Sequence, residues 1–214
     1  MGFYLNNKSK VSLYKSEMQR PYFVDKTLIL SELFPLIESG NSHICITRPR
    51  RFGKTVMANM IGAFFEKDED TKEIFDQLKI SKSPEYEKHR NKHDVIYIDF
   101  SKMPEDCDNY DQYISRIINR LKKDLIREYP DADYEEEDAL WDILDCIFDM
   151  YDGQSLFLLW TSGIVYFIKR LSLREDQQKY ISIFKQFIEG SWICRIILYD
   201  RNFCQLLNIP AARN

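Results

Sequence analysis

Glycine is scarce in this chain, seven in 214 residues, and no stretch reads as a low-complexity linker or an internal repeat. The cysteines build no framework. Cys45, Cys107, Cys146, Cys194 and Cys204 are odd in number and contain no Cys-x-x-Cys pair. That argues against a disulfide scaffold or a thiolate zinc site and for reduced thiols in a cytosol. Positive charge is not in excess: 30 Lys and Arg against 34 Asp and Glu give a net charge of −4. The balance argues against general nucleic-acid affinity while leaving room for a local basic patch. The N-terminus has no secretory apolar core, and Met1-Gly2 with Ser9 too far along does not fit a myristoylation signal. The longest apolar run, Leu156 to Ile168, is interrupted and shorter than the ~20 residues of a spanning helix. His43, His89 and His93 have no ligand-like spacing.

What is present is organised around His43-Ile-Cys-Ile-Thr-Arg-Pro-Arg-Arg-Phe-Gly-Lys-Thr55. Ile44 to Ile46 reads as a buried strand, with Cys45 as core rather than nucleophile, because a buried strand does not stabilise a thiolate. A loop follows, and Gly53-Lys54-Thr55 opens a helix whose apolar face is Val56, Met57, Met60, Ile61, Phe64 and Phe65. Strand, loop and helix with Gly-Lys-Thr at the junction is the layout of a phosphate-binding loop. Backbone N–H groups at the helix start point at the anion, the lysine neutralises it, and the threonine hydroxyl takes one position on Mg²⁺. The usual pattern has glycine where this chain has Arg48.

Elsewhere, residues 1–21 read as an irregular lead-in, and Leu28, Ile29, Leu33, Phe34 and Ile37 as an amphipathic helix capped by Asp25 or Thr27. Val95 to Ile98 followed by Asp99 is a second buried strand. Tyr110 to Tyr129 reads as a long helix closed by Pro130. The acidic run Asp131 to Asp138 reads as the solvated start of a helix carrying Leu140, Trp141, Leu144, Ile147, Phe148 and Tyr151. Alternating strands and helices predict an α/β fold with a mainly parallel sheet.

Three sets of residues carry a resemblance: Tyr22-Phe-Val-Asp-Lys-Thr27, then Thr47-Arg-Pro-Arg-Arg-Phe-Gly-Lys-Thr55, then Phe64-Phe-Glu-Lys-Asp68 with Leu78-Lys-Ile80. Together they resemble the predicted AAA-ATPase-like family of bacterial P-loop ATPases, whose members often carry a PD-(D/E)XK nuclease-like domain after the ATPase. In that family Arg48 is the usual form of the loop. The resemblance implies a P-loop NTPase fold, a three-layer α/β/α arrangement, here incomplete. It implies ATP and Mg²⁺ as cofactors, with Arg50, Arg51, Phe52, Gly53, Lys54, Thr55 and Val56 at the nucleotide and Thr55 on the metal. It also suggests that Asp25 and Lys26 line the adenine side.

The likeness runs to about Gly153, so the chain divides into an ATPase-like region, 1–153, and a remnant of the core, 154–214, expected to be a non-native tail. The family's next strand should end in the Walker-B acids, Asp-Glu-Trp-Asp. What stands there is Leu156-Phe-Leu-Leu-Trp-Thr-Ser-Gly-Ile-Val-Tyr-Phe167. Trp160 is encoded only by TGG and Thr161 begins AC, so the codon starting one nucleotide early is GAC, aspartate. Permitted codons through Phe167 then give Asp-Glu-Trp-Asp-Cys-Ile-Phe. A shift in the other sense at Tyr199 to Asn202 permits Met-Thr-Gly-Ile, another expected strand. A truncated, frameshifted coding sequence follows as the hypothesis, and the chain ends too early for the nuclease domain. Asp99 also has the Walker-B shape but sits on the wrong strand for the family order. The sequence therefore predicts nucleotide binding with impaired hydrolysis, in the cytoplasm, with no membrane partner. An inactive gene product is one alternative. The other is a nucleic-acid-associated module using Arg48, Arg50 and Arg51.

Overall fold

A computed structural model describes residues 2–39, 43–47, 52–99, 107, 110–135, 137–151, 156–161 and 194–199. Four strands form one parallel sheet: β1 (His43–Thr47), β2 (Asp94–Asp99), β3 (Leu156–Thr161) and β4 (Cys194–Tyr199), in the order β1-β4-β3-β2. Parallel neighbours need crossovers, and among the described residues helices supply those leading from β1 to β2 and from β2 to β3. The helices are α1 (Ser9–Met18), α2 (Leu28–Glu38), α3 (Lys54–Phe65), α4 (Lys72–Phe75), α5 (Tyr86–His89), α6 (Tyr110–Glu128) and α7 (Leu140–Met150), with a 3₁₀ turn at Lys79–Lys82. The α/β expectation holds. Two of the four strands come from beyond residue 153, and β4 lies between β1 and β3.

The alternation of side chains along the strands divides the core in two. Ile96, Ile98, Leu156 and Leu158 face α6 and α7, meeting Ile114, Ile117, Leu121, Leu125, Ile143 and Leu144. Val95, Tyr97, Phe157 and Leu159 face the other way, onto α3, α2 and Tyr14 of α1. Helices therefore cover both faces, which is why the strands read as continuous apolar runs. In α3 every residue from Met57 to Phe65 is buried. The Phe65 ring stacks on Phe157 of β3 at 4.7 Å and packs edge-on to Phe64 at 5.2 Å. Removing either ring would cost about 3–5 kcal/mol.

The lead-in is more structured than its sequence suggests. Residues Tyr4 to Asn6 run antiparallel along the outer edge of β2, with the Tyr97 N–H donating to Tyr4 O and the Asn6 N–H to Val95 O, both 2.9 Å. Asn6 Nδ2 donates to Asp94 Oδ1 at 2.6 Å. Asp94 Oδ2 accepts from Lys67 Nζ and the Tyr129 hydroxyl, each at 2.8 Å, so this buried carboxylate is fully satisfied. Helix α1 follows. Tyr14 is its one fully buried residue, with Val11 and Met18 partly buried against the same core. It also docks through the methylenes of Lys10, whose Cγ would lie 3.5 Å from a Cβ at Gly62 of α3.

Two further expectations are corrected, and the histidines, to which the sequence assigned nothing, find a place. The acidic run is a loop rather than a helix start, because α7 begins only at Leu140, where the Ala139 N–H donates to Asp142 Oδ2 at 3.0 Å. Cys45 is exposed, not core: it points to the face opposite Ile44, while α6 and α7 cover β2 and β3. His89 and His93 are buried and structural. His89 Nε2 lies 3.0 Å from Glu38 Oε1, and its Nδ1 lies 3.2 Å from His93 Nε2, with the His89 ring stacked on Phe34 at 4.7 Å.

The Phe-Phe-Glu-Lys-Asp segment closes α3 at the amino ends of the strands. Glu66 is 1% exposed and its Oε1 has no hydrogen-bond partner. Burial, helped by Asp68 and Glu69 and opposed by Lys8 and Lys10, raises its carboxyl from 4.5 to about 7. The folded state thus holds a proton between those values that the unfolded state releases. This contribution to stability is complete below pH 4.5 and is lost as pH rises to about 7. Glu66→Gln should abolish that slope and stabilise the protein at pH 8, by on the order of 2 kcal/mol. Thermal melts of both proteins from pH 4 to 8 check this, and parallel curves would refute it.

Candidate functional site

The site sits at the carboxyl end of β1, where open parallel sheets bind ligands. Arg48, Arg50 and Arg51 lie outside the described residues. From Phe52 onward the geometry is defined. Gly53 has φ +75°, a left-handed conformation that leads straight into α3. The first intrahelical bond is the Met57 N–H donating to Gly53 O at 2.9 Å, and no side chain caps the helix. The N–H groups of the first turn therefore project out of the helix start, an arrangement that suits an anion. Lys54 and Thr55 are the first two residues of α3, half-exposed and exposed. Their side chains arise from the turn that an anion would approach. Val56 is half-buried and begins the apolar face.

A second element meets this turn. Lys26 Nζ lies 3.7 Å from the position a Cβ would take at Gly53, so a second ammonium stands beside the loop. Its neighbour Asp25 points elsewhere. The Asp25 Oδ1 accepts from the Thr27 N–H at 2.9 Å and the Thr27 hydroxyl at 2.7 Å, and its Oδ2 accepts from the Lys79 N–H at 2.8 Å. Burial works to raise the carboxyl, but the bonds from Thr27 and the Lys79 amide outweigh it and hold it below the usual carboxylate range. The Ile80 N–H donates to Thr27 Oγ1 at 3.2 Å. Two of the motif segments, residues 22–27 and 78–80, are thus tied together by one carboxylate. Asp25 caps the approach to α2 and does not line the site. Lys26 does.

Between the 20–26 segment, α1 and α3 lies a cavity of about 640 Å³. One wall is Tyr22, Phe23, Val24 and Lys26; the other is Phe52, Gly53, Val56, Met57 and Met60. Sequence reasoning placed Met57 and Met60 on the core face and missed the wall that Tyr14, Glu17 and Arg20 contribute from α1. Both walls carry an aromatic that stays largely exposed, Tyr22 at 93% and Phe52 at 58%.

The far ends of the other strands carry less. Thr161 ends β3, in register with Asp99 of β2. The Tyr97 hydroxyl lies 3.5 Å from Asn59 Oδ1 and bonds to Thr161, while Lys10 Nζ sits 3.4 Å from the centre of the Tyr97 ring. Burial lowers the Lys10 ammonium to about 8, against the opposing pull of Asp99 and Glu66. Asp99 ends β2, three strand spacings, about 14 Å, from β1. Among the described residues no cluster of His, Cys, Asp and Glu could hold a metal ion by itself, and no helix is long and apolar enough to cross a membrane.

The left-handed turn gives a test. Gly53→Ala meets no clash, since Lys26 Nζ would be 3.7 Å away, so its cost is conformational, about 1–2 kcal/mol. A fall in melting temperature of roughly 2–8 °C is expected. Gly62→Ala, with neighbours at 3.5 Å and a helical backbone, should leave the transition in place. Equal shifts would show that the conformation of Gly53 is not strained for alanine.

No curated protein and no solved structure matches the chain. The family model described as predicted AAA-ATPase matches residues 14–190, a span from Tyr14 in the cavity wall, through the Gly53 turn and β3, almost to β4. The chain belongs to the predicted AAA-ATPase family.

Proposed function

We propose that the protein binds ATP, together with Mg²⁺, at the turn between β1 and α3, and hydrolyses it poorly. The observation that carries this reading is the start of α3: a left-handed Gly53, a first turn without a side-chain cap, and Lys54-Thr55 on that turn. Membership of the family suggests nucleotide binding. The order β1-β4-β3-β2 with helices on both faces supports reading the fold as a P-loop three-layer α/β/α core.

The residues present fit the group. First-turn N–H donors and the Lys54 ammonium would hold phosphate oxygens by charge-assisted bonds. Arg50 and Arg51 precede them in the loop, and their forked guanidinium groups suit the same oxygens. The Thr55 hydroxyl is the ligand this chain offers to Mg²⁺. Mg²⁺ held there would supply neutralisation of phosphate charge. Turnover needs more: a carboxylate to position the ion through water and another to polarise the attacking water. β3 ends on Trp160-Thr161, neither of them an acid, and Asp99 ends β2, the strand farthest from β1 in the sheet. Binding without efficient hydrolysis follows.

Titration with a fluorescent ATP analogue in Mg²⁺ should saturate with the wild-type protein and weaken at least tenfold in Lys54→Ala. Phosphate release should stay near background in both. Equal weak signals from the two proteins would end the claim of specific binding, and Lys54-dependent phosphate release at ordinary ATPase rates would end the claim of impaired hydrolysis.

A further inference from the structure

We infer that the outer flank of α6, with Phe3 of the lead-in beside it, is a binding surface for single-stranded nucleic acid. This surface lies apart from the candidate nucleotide site and does not depend on that reading. Three observations carry it. First, Arg116, Arg120, Lys123 and Arg127 recur at intervals of four, three and four residues, which stacks them along one flank of the helix. Arg120, Lys123 and Arg127 are exposed and Arg116 is half-exposed. The stripe runs for about 16 Å. Like charges so placed repel one another, and a run of phosphates is the complement that relieves the repulsion.

Second, the carboxylates of α6 and the loop after it are engaged or turned elsewhere. Asp124 is buried: its Oδ2 accepts from the Tyr4 N–H at 2.7 Å and the Leu5 N–H at 3.3 Å, and its Oδ1 from Arg127 at 3.1 Å. Glu128 pairs with Lys67 at 2.9 Å. The acidic stretch before α7 is tied to a different flank, where Lys122 Nζ donates to Asp138 O and the Tyr134 hydroxyl to Ile126 O. That is how a chain of net charge −4 presents a basic strip. Third, an exposed aromatic group borders the stripe. Phe3 is 49% exposed, and the Arg120 guanidinium lies over its ring at 4.4 Å. Tyr4 meets Phe3 edge-on at 4.8 Å. Burial raises the Tyr4 hydroxyl, and Arg116 and Arg120 oppose that rise, so both guanidinium groups act on this corner. The bonds to Asp124 fix the segment against α6 and give the Phe3 ring a set position. Guanidinium forks suit phosphate oxygens, and an aromatic face beside them stacks with an unpaired base. A duplex, whose bases are already stacked, gains only the charge attraction.

Fluorescence anisotropy tests this with a labelled oligothymidine strand and a labelled duplex of equal length, at low salt and without ATP. The full chain should bind the strand saturably and about fivefold or more tightly than the duplex. The logarithm of strand affinity should fall against the logarithm of salt with a slope of about −2 to −3, the value for three to four phosphate contacts. Arg120→Ala combined with Lys123→Ala should weaken binding about tenfold or more and reduce that slope by roughly 1.4. Phe3→Ala should weaken the strand about fivefold or more and leave the slope unchanged. Lys72→Ala combined with Lys88→Ala removes the same charge elsewhere and should change little. All these side chains are exposed, so the melting transitions should stay near that of the wild type. Absence of strand binding, or binding untouched by the α6 pair, would overturn the surface. Loss of binding in Arg50→Ala with Arg51→Ala but not in the α6 pair would overturn it too, by moving the contact to the loop before α3. Equal affinity for strand and duplex with Phe3→Ala silent would overturn the single-strand assignment, as would tighter capture by phosphatidylserine vesicles than by the strand.

Discussion

Everything at the candidate site depends on the burial of α3 along most of its length. Nine consecutive residues, Met57 to Phe65, are shielded from water, so the helix has no freedom to slide or roll without exposing a large apolar surface. Its amino end is thereby held at the carboxyl end of β1, and the direction of its first-turn N–H groups is set by packing far from the turn itself. An anion site built from backbone groups gains its affinity from preorganisation, since the donors need not be gathered when the anion arrives. The left-handed Gly53 is the local cost of that placement, and the aromatic stack of Phe65 on Phe157 is one of the contacts that offset it.

The same burial explains how much was legible in the sequence. The helix after Gly53 announces itself because its apolar residues recur at three- and four-residue spacing, and β2 because Val95 to Ile98 must be apolar on both faces. Helix α1 does not, since its apolar contacts are only Val11, Tyr14 and Met18, and the methylenes of Lys10 laid over Gly62 complete the packing. The edge formed by Tyr4 to Asn6 was equally hidden, being made of backbone bonds and one asparagine side chain. The family motifs were recognisable as strings, but their physical meaning came only with the fold: Asp25 is there to bind the amides of Thr27 and Lys79, and Lys67 to answer Asp94 and Glu128.

The site itself was half legible. Gly53, Lys54 and Thr55 are readable from chemistry alone, because few residue types serve a phosphate at a helix start. The cavity was not, because it is assembled from three segments that the chain brings together only through α1 and the 20–26 turn. Asp99 is the instructive opposite. Its sequence shape is that of a metal-binding strand end, yet its distance from the turn is fixed by strand order, which no local pattern encodes.

The histidine pair beneath α2 has a consequence of its own. Hydrogen bonds from Lys88 and His89 hold Glu38 below the usual carboxylate range, so it can only accept, and His89 must offer it the Nε2 proton. With that proton spent, a neutral His89 has only a lone pair left at Nδ1, and His93 must direct its own Nε2 proton there. The chain of three groups is thereby polar in one sense, each ring's proton order dictated by the carboxylate at its end. A second proton on His89 would set N–H against N–H at 3.2 Å unless His93 changed its tautomer as well. The His89 ring stacks on Phe34 while the His93 ring meets Phe65 and Phe157 edge-on, so the joint between α2 and α5 sets the direction of both rings' hydrogen bonds from one carboxylate.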